Sequence, residues 1–225
     1  MPNADLIEQI RDYTEMHPEL QEAHHFLFDL PFSSSPDRCD FLVIGLNPGE
    51  SSEDWRNCPH RTEETSQYDF HEEYGASTGS KRWKSEVERY CGSLSGRETQ
   101  FFFWSSKDTG KAFKNVFGTE FDRSPHLEFC RDLNEELIKR LQPKFIVAPG
   151  VSKSGLFARL YGLSPSGEIR HVVGRDRNGN ERQERLVAHF ERDGLPWIFT
   201  KHWTAGHGLR DEDRLEIANY ISANA

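Results

Sequence analysis

The run Phe41-Leu42-Val43-Ile44, halted at Gly45 and turned by Asn47-Pro48-Gly49, constrains this chain more than any other stretch. It is short, rich in β-branched and aromatic side chains and bounded by turn residues, which predicts a buried strand. Pro48 fixes its own φ and holds Asn47 away from the helical region, while Gly45 and Gly49 permit close backbone approach. A polar amide therefore stands on a stiff turn at the carboxyl end of a strand, where open α/β sheets bind ligands. An ordinary strand-to-loop turn has the same local signature, so the meaning of Asn47 depends on the rest of the chain.

Three further apolar runs have the same character. Thr99 to Trp104, Lys144 to Ala148 and Pro196 to Lys201 read as strands that end at Ser105-Ser106-Lys107, Pro149-Gly150 and His202-Trp203-Thr204. Between them lie helical patterns: 4–26 with Pro18 near a break, 81–91, 127–141, 151–160 and 211–222, the last opened by acidic residues that suit the helix dipole. Ile169–Val173 and Arg185–Phe190 flank Asn178-Gly179, a strong hairpin signal. Residues 50–80 form a long acidic loop with scattered aromatics, and a loop of that length in a compact domain is usually functional or mobile. The alternation predicts an α/β fold, a three-layer α/β/α sandwich around a central, mostly parallel four-stranded sheet. A length of 225 residues suits one domain over 1–225, with 1–38 as an N-terminal helical extension.

Composition excludes some functions. The chain has no apolar run of membrane-spanning length and no hydrophobic leader at its polar start, so neither membrane association nor secretion is expected. Four widely spaced cysteines without a Cys-x-x-Cys pair read as free thiols in a reducing, cytoplasmic setting. A net charge of −9 argues against indiscriminate nucleic-acid coating, although Arg170, Arg175, Arg177, Arg182 and Arg185 crowd one segment. P-loop and dinucleotide fingerprints are missing. Gly75-Ala76-Ser77-Thr78-Gly79 matches a nucleophile-elbow pattern, but an acidic stretch precedes it where a strand is required. His202 and His207, with His60 or His71, lack a standard ligand spacing. His-x-Glu occurs at His17, His71 and His126 without the Pro-Cys-x-x-Cys of a zinc deaminase. No metal and no cofactor is expected.

Two of the strand ends together resemble the signature motifs of the uracil-DNA glycosylase superfamily. Gly45-Leu46-Asn47-Pro48-Gly49 is similar to the Gly-x-Asn-Pro-Gly first motif of its mismatch-specific and single-strand-selective branches, and His202-Trp203-Thr204 sits where the family's His-Pro-Ser motif falls. Between them, Leu141-Gln142-Pro143-Lys144 and the strand after it resemble the family's third-strand segment. The resemblance implies a metal-independent DNA glycosylase that flips an altered base, uracil or a relative, out of the stack and hydrolyses its N-glycosidic bond in base-excision repair. Asn47 would hold the attacking water, and His202 would donate a hydrogen bond to the departing base. Gly45, Leu46 and Pro48 would line the base pocket with Phe70 stacking on the base, Tyr68 and Tyr74 being alternatives for the stacking residue. Thr204, Gly206 and Arg210 would grip phosphate, and His207 or Leu209 would fill the vacated stack.

The sequence departs from the family in three ways. Where the family often carries an Asn that reads the base edge, the matching position is Trp104, or Ser105 if the register slips. Trp203 replaces the motif's proline, and the family's four-cysteine cluster spacing is missing. The partner expected is DNA, bound by a monomer. The competing expectation is a catalytically altered protein of the same fold that binds nucleic acid or nucleotides.

Overall fold

The computed structural model describes residues 3–21, 30–31, 39–47, 78–92, 95–167, 169–175, 181–203 and 209–224. Among these, the helices are α1 (Ala4–Met16), α2 (Pro18–Gln21), α3 (Thr78–Cys91), α4 (Lys111–Phe117), α5 (Leu127–Leu141), α6 (Ser154–Tyr161) and α7 (Asp211–Asn224). The strands are β1 (Leu30–Pro31), β2 (Phe41–Gly45), β3 (Gly96–Gln100), β4 (Phe145–Pro149), β5 (Ser164–Pro165), β6 (Arg170–Arg175), β7 (Glu181–Arg192) and β8 (Leu195–Thr200). The chain is therefore α/β, and among the described residues no helix is long and apolar enough to cross a membrane.

The sheet corrects the four-stranded expectation. Among the described residues it holds eight strands in the order β1-β3-β2-β4-β8-β7-β5, with β6 paired to β7, and it is mixed. Its interior quartet β3-β2-β4-β8 is parallel, as the strand–helix alternation requires. The predicted hairpin is the source of the antiparallel side: β7 pairs with β6 on one edge and with β8 on the other, adding strands where the sheet was expected to stop. The hairpin's Asn178-Gly179 turn lies outside the described residues.

Helices cover both faces because the interior strands alternate their side chains between two apolar cores. On the first face Leu42, Ile44, Ile146 and Phe199 pack with apolar residues of α1, α4, α5 and α6. On the second, Phe41, Val43, Val147 and Ile198 pack with Val87 and Tyr90 of α3 and Ile217 and Ile221 of α7. Pro18 explains the break in the first helix. It pushes His17 into extended backbone (φ −124°, ψ 91°), and α2 restarts at the proline itself.

One strand lies earlier than its apolar run. The second strand of the quartet is Gly96-Arg97-Glu98-Thr99-Gln100, in parallel register from Phe41↔Gly96 to Gly45↔Gln100. The chain leaves the ladder at Phe101, so Phe101 to Trp104 are fully buried packing residues beyond the strand. The polar side chains of β3 are buried under the helices on the two faces, Thr99 against Asn134 of α5 and Glu98 beside Trp83 of α3.

Candidate functional site

Because β2 and β8 run parallel with β4 between them, Asn47 and His202 leave the same end of the sheet, about 10 Å apart at the usual inter-strand spacing. Asn47 is half-buried and oriented by its nitrogen, since Nδ2 donates to the Ser106 carbonyl at 3.1 Å and to Ser106 Oγ at 2.8 Å. Ser106 Oγ in turn donates to the Asp108 carbonyl at 2.7 Å. Backbone bonds from Phe101 N–H to Gly45 O (2.7 Å) and from Phe102 N–H to Leu46 O (3.0 Å) tie the two strand ends together. An amide held through its nitrogen acts on a ligand through Oδ1, which accepts hydrogen bonds and orients water but does not take a proton readily.

His202 follows β8 and is also half-buried, its ring 5.9 Å from that of Trp83 on α3. The approach to it is fixed from two sides. Lys201 N–H bonds the Leu186 carbonyl at 2.7 Å, and Lys201 Nζ donates to Glu184 Oε2 at 2.5 Å, both in β7. Gly150 N–H bonds the Thr200 carbonyl at 2.8 Å, tying in the end of β4. Trp203 is fully buried between Trp83 (5.2 Å) and Tyr90 (4.7 Å). Its carbonyl accepts from Arg214 Nη1 at 3.4 Å, and Arg214 is itself paired with Glu86 at 2.6 Å. The tryptophan standing in place of the motif's proline is thus an anchor for the loop that leaves β8.

The two strand ends are joined across the second face by residues the motifs do not include. Gly45 faces Gln100, and a Cβ at Gly45 would lie 2.2 Å from Gln100 Oε1, so the glycine makes room for that amide. Gln100 Nε2 donates to Glu98 Oε1 at 3.1 Å. Burial pushes the Glu98 carboxyl up to about 7, with the Trp83 indole and the Gln100 amide pulling more weakly the other way. Among the described residues Gln100 Oε1, Trp203 Nε1 and Thr200 Oγ1 are buried without a hydrogen-bond partner, while the Trp83 indole faces the Glu98 carboxyl. An amide oxygen, an indole N–H group and a carboxyl that is half-protonated near neutrality are the kinds of group that read the polar edge of a planar heterocycle.

Other expected site residues fall elsewhere. Trp104 belongs to the first face: it is fully buried against Tyr13 and Phe129, and its Nε1 donates to Thr14 Oγ1 at 3.1 Å. It is a core residue and not part of a pocket wall, because the strand ends at Gln100 and Trp104 is carried onto the other face. Ser105 is buried, and its neighbour Ser106 accepts from Asn47. Leu209 packs against the second core. Arg210 is exposed, but its charge is already met by Asp213 at 3.0 Å and Glu212 at 2.5 Å, with Arg210 N–H bonding Asp213 Oδ2 at 3.0 Å as half of a capping box. That arrangement caps α7 and weakens the reading of Arg210 as a phosphate grip. Pro48, Phe70, Tyr68, Tyr74, Thr204, Gly206 and His207 lie outside the described residues.

Gln100 and Glu98 were missed because polar side chains in a short strand read as a solvent face. The signal that finds them is the pairing register, which sets Gly45 beside Gln100. Compared with known proteins, the chain matches no family model and no curated relative in sequence.

Proposed function

We propose that the protein is a monofunctional DNA glycosylase acting on a deaminated or otherwise altered base, with the interior parallel quartet serving as a uracil-DNA glycosylase-like sheet. The observation that carries this reading is the pair of oriented polar side chains, Asn47 and His202, at one end of parallel strands and flanking β4. Asn47 Oδ1 orients a water whose oxygen bonds to the sugar C1′ as the C1′–N bond breaks; the bonding electrons leave with the base, the water's surplus proton passes to solvent, and the base anion is protonated from solvent after release. His202 donates an N–H to the base oxygen on which negative charge develops, and a neutral imidazole suffices for that. Gln100 supplies the strand-end amide for the base edge, a role that Trp104 cannot fill from the opposite face. Glu98 holds Gln100 in place from below.

The reading is tested by incubating the protein with single- and double-stranded oligonucleotides carrying uracil, hypoxanthine, xanthine or mismatched thymine, followed by alkali. Scission at the altered base on at least one of them is expected. Binding without scission on all of them would sink it. That outcome belongs to the second reading, a nucleic-acid- or nucleotide-binding protein of this fold. One observation favours the second reading: Arg210, expected to face phosphate, is neutralised by two carboxylates.

A further inference from the structure

On the first face, next to Trp104, three side chains from separate elements converge. His17 is the residue at which Pro18 stops α1, Glu19 lies in the first turn of α2, and His126 precedes α5. One oxygen, Glu19 Oε1, lies 3.4 Å from His17 Nδ1 and 3.3 Å from His126 Nε2, and the donor atoms all fall within 4.8 Å of one another. We propose that His17, Glu19 and His126 form a zinc site that clamps the N-terminal helices to the body of the domain.

The distances suit that role. Zinc bonds of about 2.0–2.1 Å put the donors of a tetrahedral site about 3.3–3.4 Å apart, which is the spacing of both histidine–glutamate edges. Two imidazoles and one carboxylate leave a fourth position for water, and the partial exposure of His17 and Glu19 leaves it open to solvent. His126 is only 3% exposed and takes a helix N-cap position without capping the helix with its side chain, so capping does not account for its presence there. Its Nδ1 lies 3.1 Å from Tyr13 Oη, the kind of outer partner that fixes the tautomer of a ligating histidine. Tyr13 is wedged between Phe129, stacked at 3.7 Å, and the His17 ring at 4.2 Å, so both imidazoles are held before an ion arrives. No co-reactant is required: with its proton on Nδ1 facing Tyr13 Oη, His126 presents the Nε2 lone pair to the metal, and His17 does so at Nδ1 with its proton on Nε2. In the metal-free alternative both imidazole N–H groups donate to Glu19 and Tyr13 O–H donates to His126, a plain hydrogen-bond network.

The full chain, stripped with a chelator and dialysed, would be titrated with cobalt(II) and then zinc(II), alongside a His17→Ala/Glu19→Gln double variant that leaves the buried His126 intact. The wild type should develop the intense visible absorption of tetrahedral cobalt, lose it to zinc, and melt at a higher temperature with zinc than without. The double variant should bind zinc at least tenfold more weakly and show no zinc-dependent rise in melting temperature. Identical titrations and melting shifts for the two proteins, or no zinc binding by the wild type, would overturn the site. If the double variant does not fold, His17→Gln alone, at a partly exposed position, carries the same comparison.

Discussion

Trp104 and Trp203 occupy comparable places in the sequence, each just beyond a strand of the parallel quartet, and both are fully buried, yet they lie on opposite faces of the sheet. Around Trp104 the first face is closed. The indole N–H is bonded to Thr14, and nearby Thr99 donates to Asn134 Oδ1 while Asn134 Nδ2 donates to the Gln100 carbonyl. Around Trp203 the second face carries the Trp203 indole N–H and the Gln100 amide oxygen without partners among the described residues, together with a buried carboxyl. Leaving such groups unpaired costs about 1–3 kcal/mol each. The first face has an unpartnered buried polar atom of its own in Trp197 Nε1, so what sets the second face apart is the Glu98 carboxyl buried beside Gln100.

The largest effect expected from breaking this comparison is on stability at the first face. Trp104→Ala should lower the unfolding free energy by about 3–5 kcal/mol, because it opens a cavity against α1 and α5 and removes the indole donor to Thr14 Oγ1, whose hydroxyl still bonds the Ile10 carbonyl. Denaturant unfolding measures it, and a loss below 1 kcal/mol would mean that Trp104 is not in a sealed core.

The second effect depends on pH. The Glu98 carboxyl, held at about 7 by burial against an ordinary value of 4.5, keeps its proton in the folded state and gives it up on unfolding. Stability should thus fall as pH rises from 4.5 through 7, by roughly 3 kcal/mol in all, and the loss is complete above the folded value. Glu98→Gln should remove most of that slope, as read from urea midpoints across the range. An unchanged slope would place the titration elsewhere.

A smaller effect is expected at Gly45→Ala, whose Cβ would meet Gln100 Oε1 at 2.2 Å. Moving that amide should cost about 1–3 kcal/mol of stability and weaken ligand binding on the second face, whereas Trp104→Phe should leave binding as it is.

The same contrast shows what could be read from the sequence. The strands β2, β4 and β8 were legible because apolar runs bounded by turn residues have few other meanings, and Pro18 marked the break between α1 and α2. The strand β3 was not, because its ladder is Gly-Arg-Glu-Thr-Gln while the aromatic run just after it is core packing. Helix α4 was hidden by its lysines: Lys111 and Lys114 read as a charged surface, although Phe113 and Phe117, four residues apart, bury one side of it. The place of Asn47 just beyond β2 was legible because an apolar run halts at Gly45, two residues before it. Gln100, Glu98 and Trp83 were not, since only the register and the packing of α3 bring them under Gly45 and beside His202.

The most direct test of the account is a single-turnover scission rate, on whichever oligonucleotide the wild type cuts, for Asn47→Ala, His202→Ala and Trp104→Phe at a temperature where all three are folded. The account predicts losses of about 10²–10³-fold for the first two and a rate within a few-fold of wild type for the third. Equal rates for all three variants would contradict it, because they would separate the chemistry from the face that carries Asn47 and His202.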